Sequence, residues 1–329
     1  RNDYLNSYEY GLKKSRFLFP KRKLSTKSHH MERNESINID STLVSHLINK
    51  QFPQWKNLVV KPVAVGGWDN RTFHLGNKML VRLPSAAEYA PKVKKEQKWL
   101  PRLAPFLPLK IPTLLAIGEP DENYPWPWSV YSWIEGENAA TGHITNLDDF
   151  ATSLSEFITA LHRIDSTDGP IPNLGGFAYI GGLAVYDDEA RQAFSLLKDK
   201  IDTTIAIKAW EAGIKTIWQH PPLWVHGDIT AGNLLVNHGK LTAVIDFGGL
   251  AVGDPACDLV IAWKFFKSET RKTFRNKLPL DNATWARGRA WALWKASIVA
   301  ANLTETNAIE AANPLGTINE VLMDYKHNL

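Results

Sequence analysis

Near residue 136 the chain of 329 residues changes from short β-type segments to helical periodicity. Before that point, segments rich in β-branched and apolar residues alternate with turns that contain glycine, which is the pattern of paired strands. One longer segment among them is predicted to be a helix, so this half is predicted to be an antiparallel sheet with one substantial helix against it. The predicted strands are 58–65, 71–76, 78–84, 113–118 and 128–134, and the predicted helix is 85–103.

Helices dominate after residue 136. In the segment 146–163 the apolar residues recur at spacings that place them on one face of a helix. Further helices are predicted over about 187–200 and 203–219, and again from residue 256 to the end. A sheet first and helices second indicate an α+β fold with two lobes. We expect an N-terminal lobe over residues 40–134 and a C-terminal lobe over residues 135–329.

The basic charge of the chain is concentrated at its start. Residues 1–30 hold eight Lys or Arg and two acidic residues, a net charge of +6 within a total of +4, so the remaining 299 residues carry −2. Residues 1–39 show no sustained periodicity, and we expect them to be disordered or a non-native extension. The remaining 299 residues lack the excess of basic residues that is expected of a nucleic-acid-binding protein.

Two further features limit the class of protein. No apolar run approaches the roughly 18 residues that a membrane span needs, so no membrane partner is expected. One cysteine excludes an internal disulfide and favours a cytoplasmic protein, which we expect to be a monomer or a weak dimer.

The stretch WVHGDITAGNLLVNHGKLTAVIDFGGLAVGDPACD at 224–258 carries the chemistry. Asp228 and Asn233 lie five positions apart in a loop, and Asp246 follows thirteen positions later. The segments 234–236 and 241–247 can pair through a turn at His238-Gly239, which would bring Asp246 beside Asn233. A carboxylate and an amide oxygen are hard ligands that suit Mg²⁺, which keeps waters and substrate phosphates as its other ligands. Asp228, at the start of the loop, can then accept a proton.

These motifs resemble those of the aminoglycoside phosphotransferase family, which are distant relatives of protein kinases. HGDITAGN at 226–233 matches the catalytic loop, IDFG at 245–248 the metal-binding segment, and GDPACDL at 253–259 the block that follows. The resemblance covers roughly residues 55–270 and implies a bilobal, protein-kinase-like fold. It implies that Asp228 is the base that orients a substrate hydroxyl and that Asn233 and Asp246 are Mg²⁺ ligands. His226, Asp254 and Asp258 are predicted to have structural roles: His226 and Asp258 support the catalytic loop, and Asp254-Pro255 is typical of an N-cap and a first helical residue. Asp40 or Ser41 can likewise cap a short helix that runs to Phe52.

A kinase-like enzyme also needs nucleotide-binding groups in its N-terminal lobe. The segment GGWDNRTFHLG at 66–76 occupies the position of the hairpin that covers the phosphates. Kinases place a lysine on the third strand, whereas the segment VRLP has Arg82 at that position. The alternative is that Arg82 is an ordinary surface arginine. Glu96 is the expected acidic partner of this cation, with Glu88 as the runner-up. The expected nucleotide-binding residues are Gly66, Gly67, Asp69, Asn70, Arg82, Glu96 and, in the interlobe linker, Ser132, Trp133 and Ile134.

The resemblance implies an O-phosphotransferase with Mg²⁺ as cofactor, ATP or GTP as co-substrate and a small-molecule acceptor. An aminoglycoside- or macrolide-type antibiotic is the favoured acceptor. A kinase of a metabolite such as choline or homoserine is the alternative within the enzymes. A nucleotide-binding pseudokinase module is the alternative of another class, and Arg82 in place of lysine is its only support.

Overall fold

A computed structural model describes residues 37–64, 69–172, 181–304, 306 and 308–327. The chain divides into Arg1–Asn38 and Ile39–Leu329, and the second unit holds every element described below. The expectation for residues 1–39 therefore lies almost wholly outside the described residues. Of the helices in the described part, none is long and apolar enough to span a membrane.

The first part of the larger unit is an antiparallel sheet of five strands in the order β1-β2-β3-β5-β4. As predicted, each strand pairs with its neighbours in an antiparallel sense. The first predicted strand, 58–65, is shorter than expected, since only three of its described residues, which end at 64, form a strand. The strands are β1 (Val60–Pro62), β2 (Asn70–Leu75), β3 (Met79–Pro84), β4 (Leu114–Gly118) and β5 (Trp128–Ser132).

Two helices accompany this sheet. Helix α1 (Ser41–Gln51) begins at Asp40, whose carboxylate accepts hydrogen bonds from the backbone of Thr42 and Leu43. Helix α2 (Ala90–Leu103) begins later than the predicted residue 85, after a 3-10 turn at Ala87–Tyr89. Pro91 lies in its first turn, where proline is favoured because its missing N–H has no partner in the helix. The buried face of α2 carries Glu96 among apolar residues.

The chain leaves the sheet at Gly136, where the pattern of the sequence changes. Gly136 has φ 148, and a side chain there would meet the backbone oxygen of Val236 at 2.9 Å. This close approach starts β6 (Glu137–Asn138), which pairs with β8 (Leu234–Asn237), and β8 pairs in turn with β9 (Lys240–Val244). The sequence did not reveal β6, nor β10 (Ala251–Gly253), which pairs with β7 (Leu223–Val225). Both are too short to show a period.

Helices make up most of the remainder, in agreement with the predicted α+β architecture. Helix α8 is buried on nearly all sides, since Trp285, Trp291 and Trp294 are each less than a tenth exposed. It packs against α5 and α10 and against the 3-10 helix Pro255–Leu259. The helices are α3 (Leu147–Arg163), α4 (Asp187–Leu196), α5 (Thr203–Ile214), α6 (Ile261–Lys264), α7 (Ser268–Lys277), α8 (Asn282–Ala300), α9 (Ala308–Ala311) and α10 (Pro314–His327).

Candidate active site

The loop that connects β7 to β8 carries Asp228 and Asn233, and a buried carboxylate holds its start. The backbone N–H groups of His226 and Gly227 each donate a hydrogen bond of 2.8 Å to Asp258, which is fully buried. Burial raises the pKa of Asp258, and these backbone donors oppose that rise. Gly227 has φ 83, and a side chain there would overlap the carbonyl of Gly249. Glycine is therefore needed where this loop meets the segment after Asp246.

Within the loop, the side chain of Asn233 is tied to Asp228. Its amide nitrogen donates to the backbone carbonyl of Asp228 at 2.9 Å and to the Asp228 carboxylate oxygen Oδ2 at 3.0 Å. Because the nitrogen faces Asp228, the amide oxygen of Asn233 points away from that carboxylate. Side-chain exposure of Asp228 is 40%, so its carboxylate is accessible from the cleft.

The hairpin of β8 and β9 brings Asp246 to the same place, as its sequence predicts. His238 and Gly239 form the turn with φ 50 and 75, values that suit the mirror-image turns of tight hairpins. The backbone N–H of Ile245 donates to the Asn233 carbonyl at 2.9 Å, so Asp246 directly follows a residue paired with Asn233. The ring of His226 bridges the two segments, with Nε2 3.0 Å from the Ile245 carbonyl and Nδ1 accepting from the Asp228 backbone at 3.2 Å.

Arg82 joins the sheet to this site. From β3 its guanidinium contacts both Glu96 oxygens at 3.3 Å and the Asp246 oxygen Oδ1 at 3.0 Å. Burial disfavours the charged guanidinium, but the two carboxylates outweigh it and raise the pKa of Arg82. Desolvation has the largest single effect on Asp246 and raises its pKa, but the charge and hydrogen bond of Arg82, together with His226 and the Gly248 backbone, lower that pKa below its ordinary value. Glu88, the runner-up acidic partner, is exposed and makes no such contact.

The donors at this point fit a magnesium ion bound together with phosphates. Asp246 adopts the left-handed conformation, with φ 63, which is uncommon for a residue other than glycine, and its side chain is 44% exposed. Its carboxylate and the outward-facing amide oxygen of Asn233 are hard oxygen ligands. Among the described residues, no group of three His, Cys, Asp or Glu side chains could hold a metal, so a site here depends on phosphate or water oxygens for its other ligands.

Helix α2 adds two lysines that sequence reasoning missed. Lys95 donates to the Gly248 carbonyl at 2.8 Å, and burial lowers the pKa of Lys95 to about 8. Lys92 contacts Asp69, one of the predicted hairpin residues. Lys92 lies one helical turn before Glu96, and Lys95 lies one residue before it. These helical spacings are a signal in the sequence that could have indicated both lysines. Gly66 and Gly67 lie outside the described residues, and Asn70 is the first residue of β2 and is buried.

In the linker, part of the predicted purine-binding backbone is already hydrogen-bonded. The N–H of Ser132 donates to the Thr113 carbonyl at 2.9 Å, and that of Trp133 donates to the Lys78 carbonyl at 2.7 Å. The ring of Trp133 lies against His74, with 4.3 Å between the ring centroids. The groups of this segment that are still expected to bind the purine are therefore the carbonyl of Ser132 and the backbone of Ile134.

Two contacts from α8 support or reach the loop, and neither was predicted. Asp254 caps the 3-10 helix Pro255–Leu259, as its sequence predicts, and also binds Arg287 through two hydrogen bonds of 2.7 and 3.1 Å. Lys295, two turns further along α8, has its Nζ 3.3 Å from Oδ1 of Asp228. The sequence gives no local signal for either contact, because the partners are separated by 33 and 67 positions.

A family model described as a phosphotransferase enzyme family matches residues 59–291, which include every residue of the candidate site described above except Lys295. The chain belongs to this family. It is a phosphotransferase whose acceptor is a hydroxyl group. No curated protein matches it at a significant level.

Solved structures share its fold. The GDP complex of wild-type aminoglycoside 2'-phosphotransferase-IIIa has a TM-score of 0.62 at 18% identity, over 88% of this chain and 99% of that one. Macrolide 2'-phosphotransferase MphH from Brachybacterium faecium has a TM-score of 0.54 at 20% identity, over 85% and 98%. The streptomycin–ATP ternary complex of APH(2'')-IIa has a TM-score of 0.52 at 19% identity, over 80% and 90%. At this identity the likeness shows the kinase-like fold.

Proposed function

We propose that the enzyme transfers the γ-phosphoryl group of ATP or GTP, with Mg²⁺, to a hydroxyl group of a small molecule. The observation that carries this proposal is the meeting of Asp228, Asn233 and Asp246 at one point of the cleft, with Arg82 beside them. Phosphoryl transfer needs positioning and charge stabilisation more than covalent chemistry, and this set supplies both. The same set argues against a pseudokinase.

Each residue has a separate task in this proposal. The carboxylate of Asp228, held by the amide of Asn233, orients the acceptor hydroxyl and takes its proton. Arg82 binds phosphate oxygens while Glu96 fixes its guanidinium, and Lys92 and Lys95 add positive charge on the same side. Mg²⁺, held by Asn233 and Asp246, would neutralise charge on the phosphates. The purine is proposed to contact the backbone of Ser132 and Ile134.

The acceptor is proposed to bind in a cavity of about 690 Å³ between the end of α8, the end of α9 and the start of α10. Two observations support this site. Val299, which lines the cavity, follows Lys295 by one helical turn, and Ile309 of α9, the helix whose Ala311 lines the cavity, lies beside Gly232 of the loop. A volume in this range suits a drug-sized ligand. We favour an aminoglycoside- or macrolide-type acceptor because enzymes for both share the fold.

A metabolite kinase of the choline or homoserine type is the second candidate. The contact between Lys295 and Asp228 favours it, because a cation beside the proposed base repels the ammonium groups of a polycationic antibiotic. Acceptors without several positive charges are therefore part of the same test.

The test is a screen of the purified protein with Mg²⁺ and ATP or GTP against aminoglycosides, macrolides and amino alcohols. Phosphorus NMR should show a new phosphate monoester for at least one acceptor, and Asp228→Asn should abolish that signal. Nucleotide binding without any acceptor-dependent product across a broad panel, in a protein with intact Asp228, would point to a binding module instead.

A further inference from the structure

The side chain of Lys295 is held at the proposed base. Its Nζ lies 3.3 Å from Oδ1 of Asp228, while the other carboxylate oxygen accepts the amide of Asn233 at 3.0 Å. The Asp228 carboxylate therefore accepts a hydrogen bond from an amide on one oxygen and contacts an ammonium group with the other. Lys295 and Asp228 also line the same small cavity, together with Thr230 and Trp291.

The residues of α8 that precede Lys295 fix the position of its backbone. Trp291, one turn before it, is 3% exposed, and Trp294, the residue directly before it, donates from its indole to Glu189 at 2.9 Å. Two turns before it, Arg287 is locked to Asp254. The backbone that carries Lys295 is thus anchored in the core, and only the end of the side chain enters the cleft.

This ion pair adds little to folding. Side-chain exposure is 24% for Lys295 and 40% for Asp228, and pairs that face water contribute weakly because solvent screens them. The other cations of the site approach from the sheet side, where Arg82 contacts Asp246 and Lys95 contacts Gly248. Lys295 supplies positive charge from the helical side, next to the carboxylate that would meet the acceptor.

We propose that Lys295 is a further catalytic residue that contacts the phosphoryl group during transfer; this inference rests on the proposed function. In the step, the bond from the γ-phosphorus to its bridging oxygen breaks and leaves a nucleoside diphosphate. A new bond forms to the acceptor oxygen, and the hydroxyl proton passes to Asp228. The ammonium group of Lys295, next to the carboxylate that orients the acceptor hydroxyl, stabilises the negative equatorial oxygens during this step.

The test needs no known acceptor. ADP with Mg²⁺ and aluminium fluoride imitates the transferring phosphoryl group, and calorimetry gives its affinity with and without fluoride. We expect fluoride to tighten ADP binding to the wild type, Lys295→Met to lose most of that gain, on the order of tenfold or more, and Lys295→Arg to retain it. ADP affinity without fluoride should stay within about threefold in both variants, since the nucleotide contacts lie on the sheet side.

Lys267→Met is the matched control, because Lys267 pairs with Glu320 at 2.7 Å away from the loop. It should leave both affinities unchanged, and the melting temperatures of the variants should agree. If Lys295→Met keeps the fluoride-dependent gain within about twofold, the inference is overturned and the proposed function stands. If the wild type binds neither ADP nor GDP, or gains nothing from fluoride with either nucleotide, the proposed function fails and the inference with it.

Discussion

Replacing Arg287 by methionine should leave a buried, unpaired charge at Asp254, which begins the 3-10 helix that carries Asp258. The side chains of Arg287 and Asp254 are 1% and 2% exposed, and two hydrogen bonds of 2.7 and 3.1 Å join them. Methionine fills similar space but leaves the Asp254 carboxylate without a counter-charge. Breaking a buried pair in this way costs about 3–5 kcal/mol. For a unit of this size that free energy lowers the melting temperature by about 5–8 °C.

Arg191→Met is the matched control. Arg191 pairs with Asp187 at 2.9 Å, but the two side chains are 41% and 34% exposed, so its loss should cost less than about 1 kcal/mol. Urea unfolding, followed by tryptophan fluorescence, measures both variants. Adding Asp254→Asn to Arg287→Met should recover part of the loss, since the stranded charge is then gone. Equal stability of Arg287→Met and Arg191→Met would refute this reasoning.

Three further predictions concern the site and pH. Asp246→Ala should lose nearly all transfer activity and weaken Mg²⁺-dependent nucleotide binding in calorimetry; near-normal activity would remove Asp246 from the proposed metal site. Arg82→Ala should raise the KM for nucleotide more than the KM for acceptor in steady-state kinetics, and a defect confined to the acceptor would move Arg82 out of the nucleotide site. Burial lowers the pKa of His162 to about 4 from an ordinary 6.5, so between these values the unfolded chain binds the extra proton. The free energy of unfolding should therefore fall by up to about 3 kcal/mol as the pH drops through this window. Urea midpoints measured at pH 7 and pH 4.5 should differ less for His162→Leu than for the wild type. An equal difference in the two proteins would contradict the role given to His162.

Local chemistry made much of the site predictable. The loop from His226 to Asn233 and the hairpin that returns Asp246 depend on glycine, a tight turn and short strands, all of which are visible in the sequence. Glu96 could be chosen as the partner of Arg82 because it lies on the long helix, where the structure finds it. The caps at Asp40 and Asp254 were likewise visible, because the capping residue and its helix are neighbours in the chain.

The contacts that could not be predicted from the sequence join segments that lie far apart in the chain. Arg287 and Lys295 lie on a helix whose apolar residues cover nearly its whole circumference, so no polar face marked them. The strands β6 and β10 are two and three residues long and form only because β8 and β7 offer edges to pair with. The length of the predicted strand at 58–65 was overestimated for the same reason, since propensity shows which residues suit a strand but not how many find a partner.

The most direct test of the account is Asp228→Asn, measured for nucleotide affinity by calorimetry and for turnover with the acceptor that the screen identifies. The substitution keeps the size and polarity of the side chain and removes the charge that would take the proton. Because Arg82, Glu96 and Asp246 are untouched, nucleotide affinity should stay within about threefold while turnover falls on the order of 10²–10⁴-fold. Wild-type turnover at saturation, or lost nucleotide affinity with normal turnover, would contradict the role proposed for Asp228 and the account built on it.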